Sequence, residues 1–298
     1  MTTLSQRCVI LIALLTICLS ARSQDTAQIV APSVISSENP EFGAALTPNG
    51  KTFFFNRTTP DRRKMFLMVS QKRKKQWQAP TLASFTDTTF REIDAFISPD
   101  GKRLFFSSTR PTEAGAKEKD FDVWMSQKKG QVWQTPIRLS DAINSNVDEV
   151  FVSTSRSGNM YFARFVGNKS QLFMSKWANK AYQKAERIAL FTDTASISNP
   201  AISPDETMLV FVSGQLGGQG GADLFLCRKE ANGQWSKPLN VPAPINSPDT
   251  DFAPSFSADG KSFYWTSERR GVVQDFPKGQ RRPGDIYKIS VSVLRTLF

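Results

Sequence analysis

The chain contains no histidine. Histidine is the commonest general base and the commonest metal ligand. Its absence excludes a Ser-His-Asp triad and a histidine-held zinc centre. Cysteine is almost as scarce: Cys8 and Cys18 lie near the N-terminus, and only Cys227 follows. One cysteine in the body of the chain allows no internal disulfide, so the core must supply the stability. Cys227 ends the apolar run Leu224-Phe225-Leu226-Cys227 and reads as a small buried hydrophobe rather than a nucleophile. Long hydrophobic runs are missing too. The stretch Val9 to Leu19 is too short to span a bilayer comfortably.

That stretch follows Arg7 and precedes Ala21-Arg22-Ser23, the pattern of a secretory signal over residues 1–23 with cleavage before Gln24. An uncleaved anchor and a lipid-modified Cys18 are the alternatives. The latter is disfavoured because Ile17 is not the small residue a lipoprotein signal wants before its cysteine. The expectation is an exported protein, periplasmic or at the cell surface, with no transmembrane segment after cleavage.

The remaining residues, 24–298, are expected to form one domain. Hydrophobic residues make up 40% of the chain, enough to fill a sizeable core, and the 23 phenylalanines favour strands. The formal net charge of +11 falls to about +9 when Arg7 and Arg22 leave with the signal. The runs Lys72-Arg73-Lys74-Lys75 and Arg281-Arg282 concentrate it. A basic surface suits a negatively charged envelope partner or is simply solvated. No nucleic-acid module is present.

Four stretches read alike, beginning Leu46-Thr47-Pro48-Asn49-Gly50, Ile97-Ser98-Pro99-Asp100-Gly101, Ile202-Ser203-Pro204-Asp205-Glu206 and Phe256-Ser257-Ala258-Asp259-Gly260, each followed by an apolar run. Ser157-Gly158-Asn159-Met160-Tyr161-Phe162 is a weaker fifth. Asp-Gly or Asn-Gly between apolar runs is a strong hairpin signal, because the tight turn needs positive φ. A second hairpin follows, as in Asp122-Val123-Trp124-Met125-Ser126, a polar turn, and Trp133-Gln134-Thr135-Pro136. Trp77 and Trp235 recur at the position of Trp133, and Tyr182 replaces them in copy three. The Trp-containing segment is expected to be the fourth strand. A four-stranded sheet repeated at this period buries its faces best by radial packing. The fold expected is all-β: a five-bladed β-propeller (six blades being the alternative), with four-stranded antiparallel blades near residues 38–84, 91–140, 147–190, 196–241 and 249–290. Copy five lacks a Trp segment after Ile289, and residues 27–37 resemble Leu239 to Ser247. The N-terminal strand is therefore expected to close the last blade.

The Ser-Pro-Asp-Gly-Lys turn followed by Leu-Phe-Phe and Asp-Val-Trp resembles the WD40-like β-propeller repeat of TolB-type exported bacterial proteins. The resemblance covers roughly residues 38–290, is strong in copies two and five, and is degraded in copy three. It implies the fold. Relatives use the same propeller for binding, scaffolding and catalysis. Metal-dependent lyases with this propeller hold the metal through histidines, and peptidases carrying it need a further hydrolase domain.

Nine positions before the turn glycine stand Glu41, Glu92, Glu149 and Asp251, with Ile197 in copy four. These carboxylates are expected at the mouth of the central channel. They could hold a cation or a basic or hydroxylated ligand there, or could cap backbone amides at their own blade entrances. Long loops between the second and third strands put Arg110, Arg269, Arg270, Arg281 and Arg282 around the rim of that face. No resident metal or cofactor, and no catalytic residue, is assigned. The expected function is a monomeric, non-catalytic binding or scaffold module for an envelope protein or glycan. The alternative is a glycoside hydrolase using Glu92, Glu149 or Asp251 as paired carboxylates.

Overall fold

Each blade is organised by a turn that bonds to itself. Ser98 Oγ donates to Asp100 Oδ1 and accepts from Arg103 N at 3.0 Å, while Asp100 Oδ1 accepts from Lys102 N at 3.0 Å. Thr47 with Asn49, and Ser257 with Asp259, repeat the arrangement. Gly101 then takes φ 71°, a conformation that costs glycine little. In the fourth copy Glu206 adopts φ 56° in the glycine's place. Its carboxylate accepts from Ser157 at 2.8 Å and from Asn159 and Tyr161 at 3.0 Å, all on the preceding blade. A strained backbone here is offset by a link between blades.

The computed structural model describes residues 26–113, 117, 119–190, 195–277 and 281–298. The expected signal sequence and Cys18 lie outside them. The fold is a five-bladed β-propeller of antiparallel four-stranded blades with almost no helix. The innermost strands are Glu41–Leu46, Glu92–Ile97, Glu149–Thr154, Ser198–Ile202 and Asp251–Phe256. The second strands, such as Arg103–Ser108, and the third, such as Asp122–Lys129, carry the apolar runs. Five apolar clusters hold the ring, each uniting neighbouring blades; the one between blades one and two joins Phe54 and Leu67 to Leu104 and Phe106.

The fourth strands differ from expectation. Gln76–Trp77 pairs with the far end of the third strand, Lys72 opposite Trp77, as a short outer hairpin. The blade's edge is instead Thr81–Leu82, which pairs with Val69 and Met68. Val132–Trp133 and Ile137–Arg138 divide the work in the same way. Pro80 and Pro136, which lack an N–H, lie between the two pieces and interrupt the ladder.

The last blade is completed from the N-terminus. Gln28–Ile29 pairs antiparallel with Lys288 and Tyr287, and Val30 N donates to Ile286 O at 2.8 Å. Beyond that strand, Ile35 is fully buried, and Ser36 Oγ both donates to Ile286 O and accepts from Ile286 N.

Candidate functional site

The four carboxylates begin the innermost strands, on the face that carries the loops between second and third strands. Each is buried and bonded within a latch between two blades. Glu149 accepts from Arg164 Nε at 2.7 Å, from Ser145 Oγ at 2.5 Å and from Ser145 N at 2.9 Å. Arg164 also donates to Ile143 O at 2.6 Å. Ser145 and Ile143 belong to the strap leaving the preceding blade. Glu41 makes the same set with Arg57 and Ser37, and Arg57 reaches Val34 O. Asp251 makes it with Arg269 and Ser247, and Arg269 reaches Pro244 O. Glu92 accepts from Arg110 and, at 3.3 Å, from Asp87 N, and Arg110 reaches Phe85 O. Each carboxylate thus caps a strap amide at its own blade entrance, and its arginine holds a strap carbonyl. The carboxylates turn to separate arginines rather than to one another. The junction between blades three and four has Ile197 where the carboxylate stands, Ser213 at the position of Arg57 and Arg164, and Gln215 at that of Arg110 and Arg269, and Glu206 links those blades from the opposite face.

The rim arginines divide accordingly. Arg110 and Arg269 are latch residues, whereas Arg270 is exposed. Glu268, itself buried, accepts from Arg62 at 3.1 Å and from Arg281 at 2.6 Å. Asp249 pairs with Arg282 at 3.2 Å. An arginine cluster therefore spans the seam between blades five and one.

Along the axis, every innermost strand carries a bulge with a left-handed residue: Gly43, Asp94, Phe151, Asn199 and Ala253. They line a cavity of about 40 Å³. Asp94 Oδ2 and Asn199 Nδ2 have no hydrogen-bond partner there, and burial pushes the Asp94 carboxyl well up.

Solved structures share this architecture. TolB, as assigned, from Agrobacterium tumefaciens aligns over 80% of this chain and 73% of its own, at 16% identity and TM-score 0.51. The alpha-L-arabinofuranosidase from Lactobacillus brevis aligns over 87% and 92%, at 11% identity and TM-score 0.51. Hydrazine synthase from Kuenenia stuttgartiensis aligns over 85% of this chain and 41% of its own, at 11% identity and TM-score 0.52. The likeness is one of fold. No family model and no curated protein matches the sequence. No helix among the described residues is long and apolar enough to cross a membrane.

Sequence reasoning missed the straps. Ile143-Asn144-Ser145 and Ile245-Asn246-Ser247 stand four residues before their carboxylates, and Ile35-Ser36-Ser37 precedes Glu41 in the same way. Asn144 brackets Val123 through both N–H and C=O, and Asn246 does the same at Leu224. The recurrence of Ile-Asn-Ser was the available signal. A second signal was that the copy without a carboxylate also lacks the arginine.

Asp285, at the start of the last third strand, is buried and among the described residues accepts a single bond, from Val272 N at 2.8 Å. Burial pushes its carboxyl up to about 6, against that amide. The folded chain therefore holds this proton more tightly than the unfolded chain. Stability from this group is present below the ordinary value of 3.8 and is lost as pH rises through about 6. The Tm advantage of pH 5 over pH 7.5 is expected to shrink in Asp285→Asn. Calorimetry at the two pH values checks this, and an unchanged difference would count against it.

Proposed function

We propose that this chain is a non-catalytic recognition module that, after export to the periplasm or cell surface, presents its long-loop face to a negatively charged envelope partner, a protein or a glycan. The arginine cluster at the blade five–blade one seam carries this reading. Glu268 and Asp249 hold Arg62, Arg281 and Arg282 in place, while Arg63 and Arg270 stay exposed beside them. Cations fixed before binding lose little side-chain freedom on binding and steer an anionic partner. Hydrolysis by paired carboxylates needs two carboxyl groups facing one substrate. Glu92, Glu149 and Asp251 instead each face an arginine of their own blade.

Capture from envelope extracts tests the reading, with bound protein and bound glycan quantified separately. The wild-type chain is expected to retain an anionic component, and Arg63→Glu/Arg270→Glu to retain about tenfold less, a loss of about 1.4 kcal/mol. Arabinan or xyloglucan cleavage that Glu92→Gln abolishes without unfolding the chain would replace this reading with the hydrolase.

A further inference from the structure

The strongest unassigned feature lies on the flank of the ring, away from the long loops, between blades two and three. The third strand of blade three ends at Ser175. Trp177–Ala178 and Ala181–Tyr182 then form a separate two-stranded ribbon. In blades one and two the outer hairpin continues the third strand. The separate ribbon leaves a cleft of about 640 Å³ against the face of blade two, within the range of small-molecule sites.

Three features of its lining point to a ligand. Lys102, Arg103, Lys128 and Lys180 reach it from three segments, and none forms an ion pair among the described residues. The one acid, Asp100, is engaged by its own turn through Ser98 Oγ and Lys102 N. Met125, Leu139 and Ala181 supply apolar surface. Tyr182 is 9% exposed, and its hydroxyl oxygen, itself buried, has no hydrogen-bond partner among the described residues. Burial pushes that phenol up to about 12, so it stays neutral and able to donate. Its ring is fixed by Trp177, with centroids 4.8 Å apart, and by Phe105 at 6.3 Å. Arg103 is fixed as well, 4.8 Å over the Trp177 ring. A held phenol without a partner is costly unless something else satisfies it.

We infer that this cleft binds an anionic saccharide, a short uronate oligomer, whose carboxylates meet the four cations, whose C–H ring faces rest on Met125, Leu139 and Ala181, and whose hydroxyl bonds to Tyr182. An inorganic anion would use the cations and leave the apolar surface and the phenol idle. A neutral sugar would leave four cations crowded around it. A saccharide carrying carboxylates uses all three features. The site is separate from the arginine cluster of the long-loop face and does not depend on it.

Titration calorimetry with trigalacturonate tests the inference, with maltotriose and tripolyphosphate as comparison ligands. The full chain is expected to bind trigalacturonate and not maltotriose. Lys102→Glu/Lys180→Glu, two exposed positions, should weaken binding at least tenfold. Tyr182→Phe, which removes only the hydroxyl, should weaken trigalacturonate several-fold and leave any tripolyphosphate binding unchanged. Arg63→Glu/Arg270→Glu should leave trigalacturonate binding as it was, which separates this site from the proposed long-loop function. Failure to bind trigalacturonate overturns the inference. So does binding that survives charge reversal, and so does a Tyr182→Phe variant that treats trigalacturonate and tripolyphosphate alike.

Discussion

A chain lacking residues 26–37 is expected to melt at least about 10 °C below the full-length protein, or not to fold at all. That segment supplies Ile29, Val30 and the fully buried Ile35 to the seam, together with the strand partner of Tyr287 and Lys288. Burial of such side chains is worth about 1.5–3 kcal/mol each. Val30 and Ile35 are buried and Ile29 is partly so, and together they match about the lower end of a typical domain's stability, about 5–15 kcal/mol. The deletion also removes the Ser37 amide and hydroxyl that Glu41 accepts from, leaving a buried carboxylate with Arg57 alone. Ile35→Asp in the full-length chain should act in the same direction, because it places an unpaired charge in that core. A peptide of residues 26–37 added in trans should restore part of the loss. Melting of the truncated chain within a degree or two of wild type would refute closure as the source of stability.

The second large effect is expected at a latch. Arg164→Ser leaves Glu149 buried without its cation and frees the strap carbonyl of Ile143. Removing one member of a buried pair typically costs about 3–5 kcal/mol. Arg164 is partly exposed, so a loss of about 3 kcal/mol is expected. The guanidinium also lies 4.5 Å from the Phe173 ring centroid, a contact that is lost with it. The molecule itself provides the control. In blade four, Ile197 and Ser213 occupy the positions of Glu149 and Arg164, so no ion pair forms between those two positions. The double variant Glu149→Ile/Arg164→Ser copies that solution and should be more stable than Arg164→Ser alone. Urea denaturation of the set measures the coupling. A double variant that merely adds the two losses would show that the pair does not act as a unit.

These two predictions mark what could and could not be read from the residues in order. The Asp-Gly turns were legible because their bonds run between residues two to five apart, as from Ser98 to Asp100 and Arg103. The closure was legible because the copy that lacks a final strand and the segment that resembles one sit at opposite ends. The latches were not, because each joins three places: a strap residue (a serine in three of the four), a carboxylate four or five residues on, and an arginine at or just past the end of the next strand. The carboxylates stood out as a column, but a column does not say which way its members face. Trp77 and Trp133 were assigned to the blade edges because they follow the third strand directly. The prolines that place the edge strands four residues beyond them give no sign in the sequence that the ladder is interrupted there. Tyr182 looked like a weakened tryptophan position, and nothing in its neighbours along the chain announced a detached ribbon and a cleft.

The bonds between Ser36 and Ile286 span 250 positions. Synthesis runs from the N-terminus, so the segment that finishes the ring is made before any blade exists and its docking place is made last. Blades one to four can form as the chain appears, each from contacts within about fifty residues, whereas the circle cannot lock until the third strand of the last blade has arrived. Until then, the early segment and the outer edge of the last sheet are both unmatched. A second nascent copy offers the same two surfaces, so crowding during synthesis favours exchange of this segment between molecules, a hazard set by where the ring is cut.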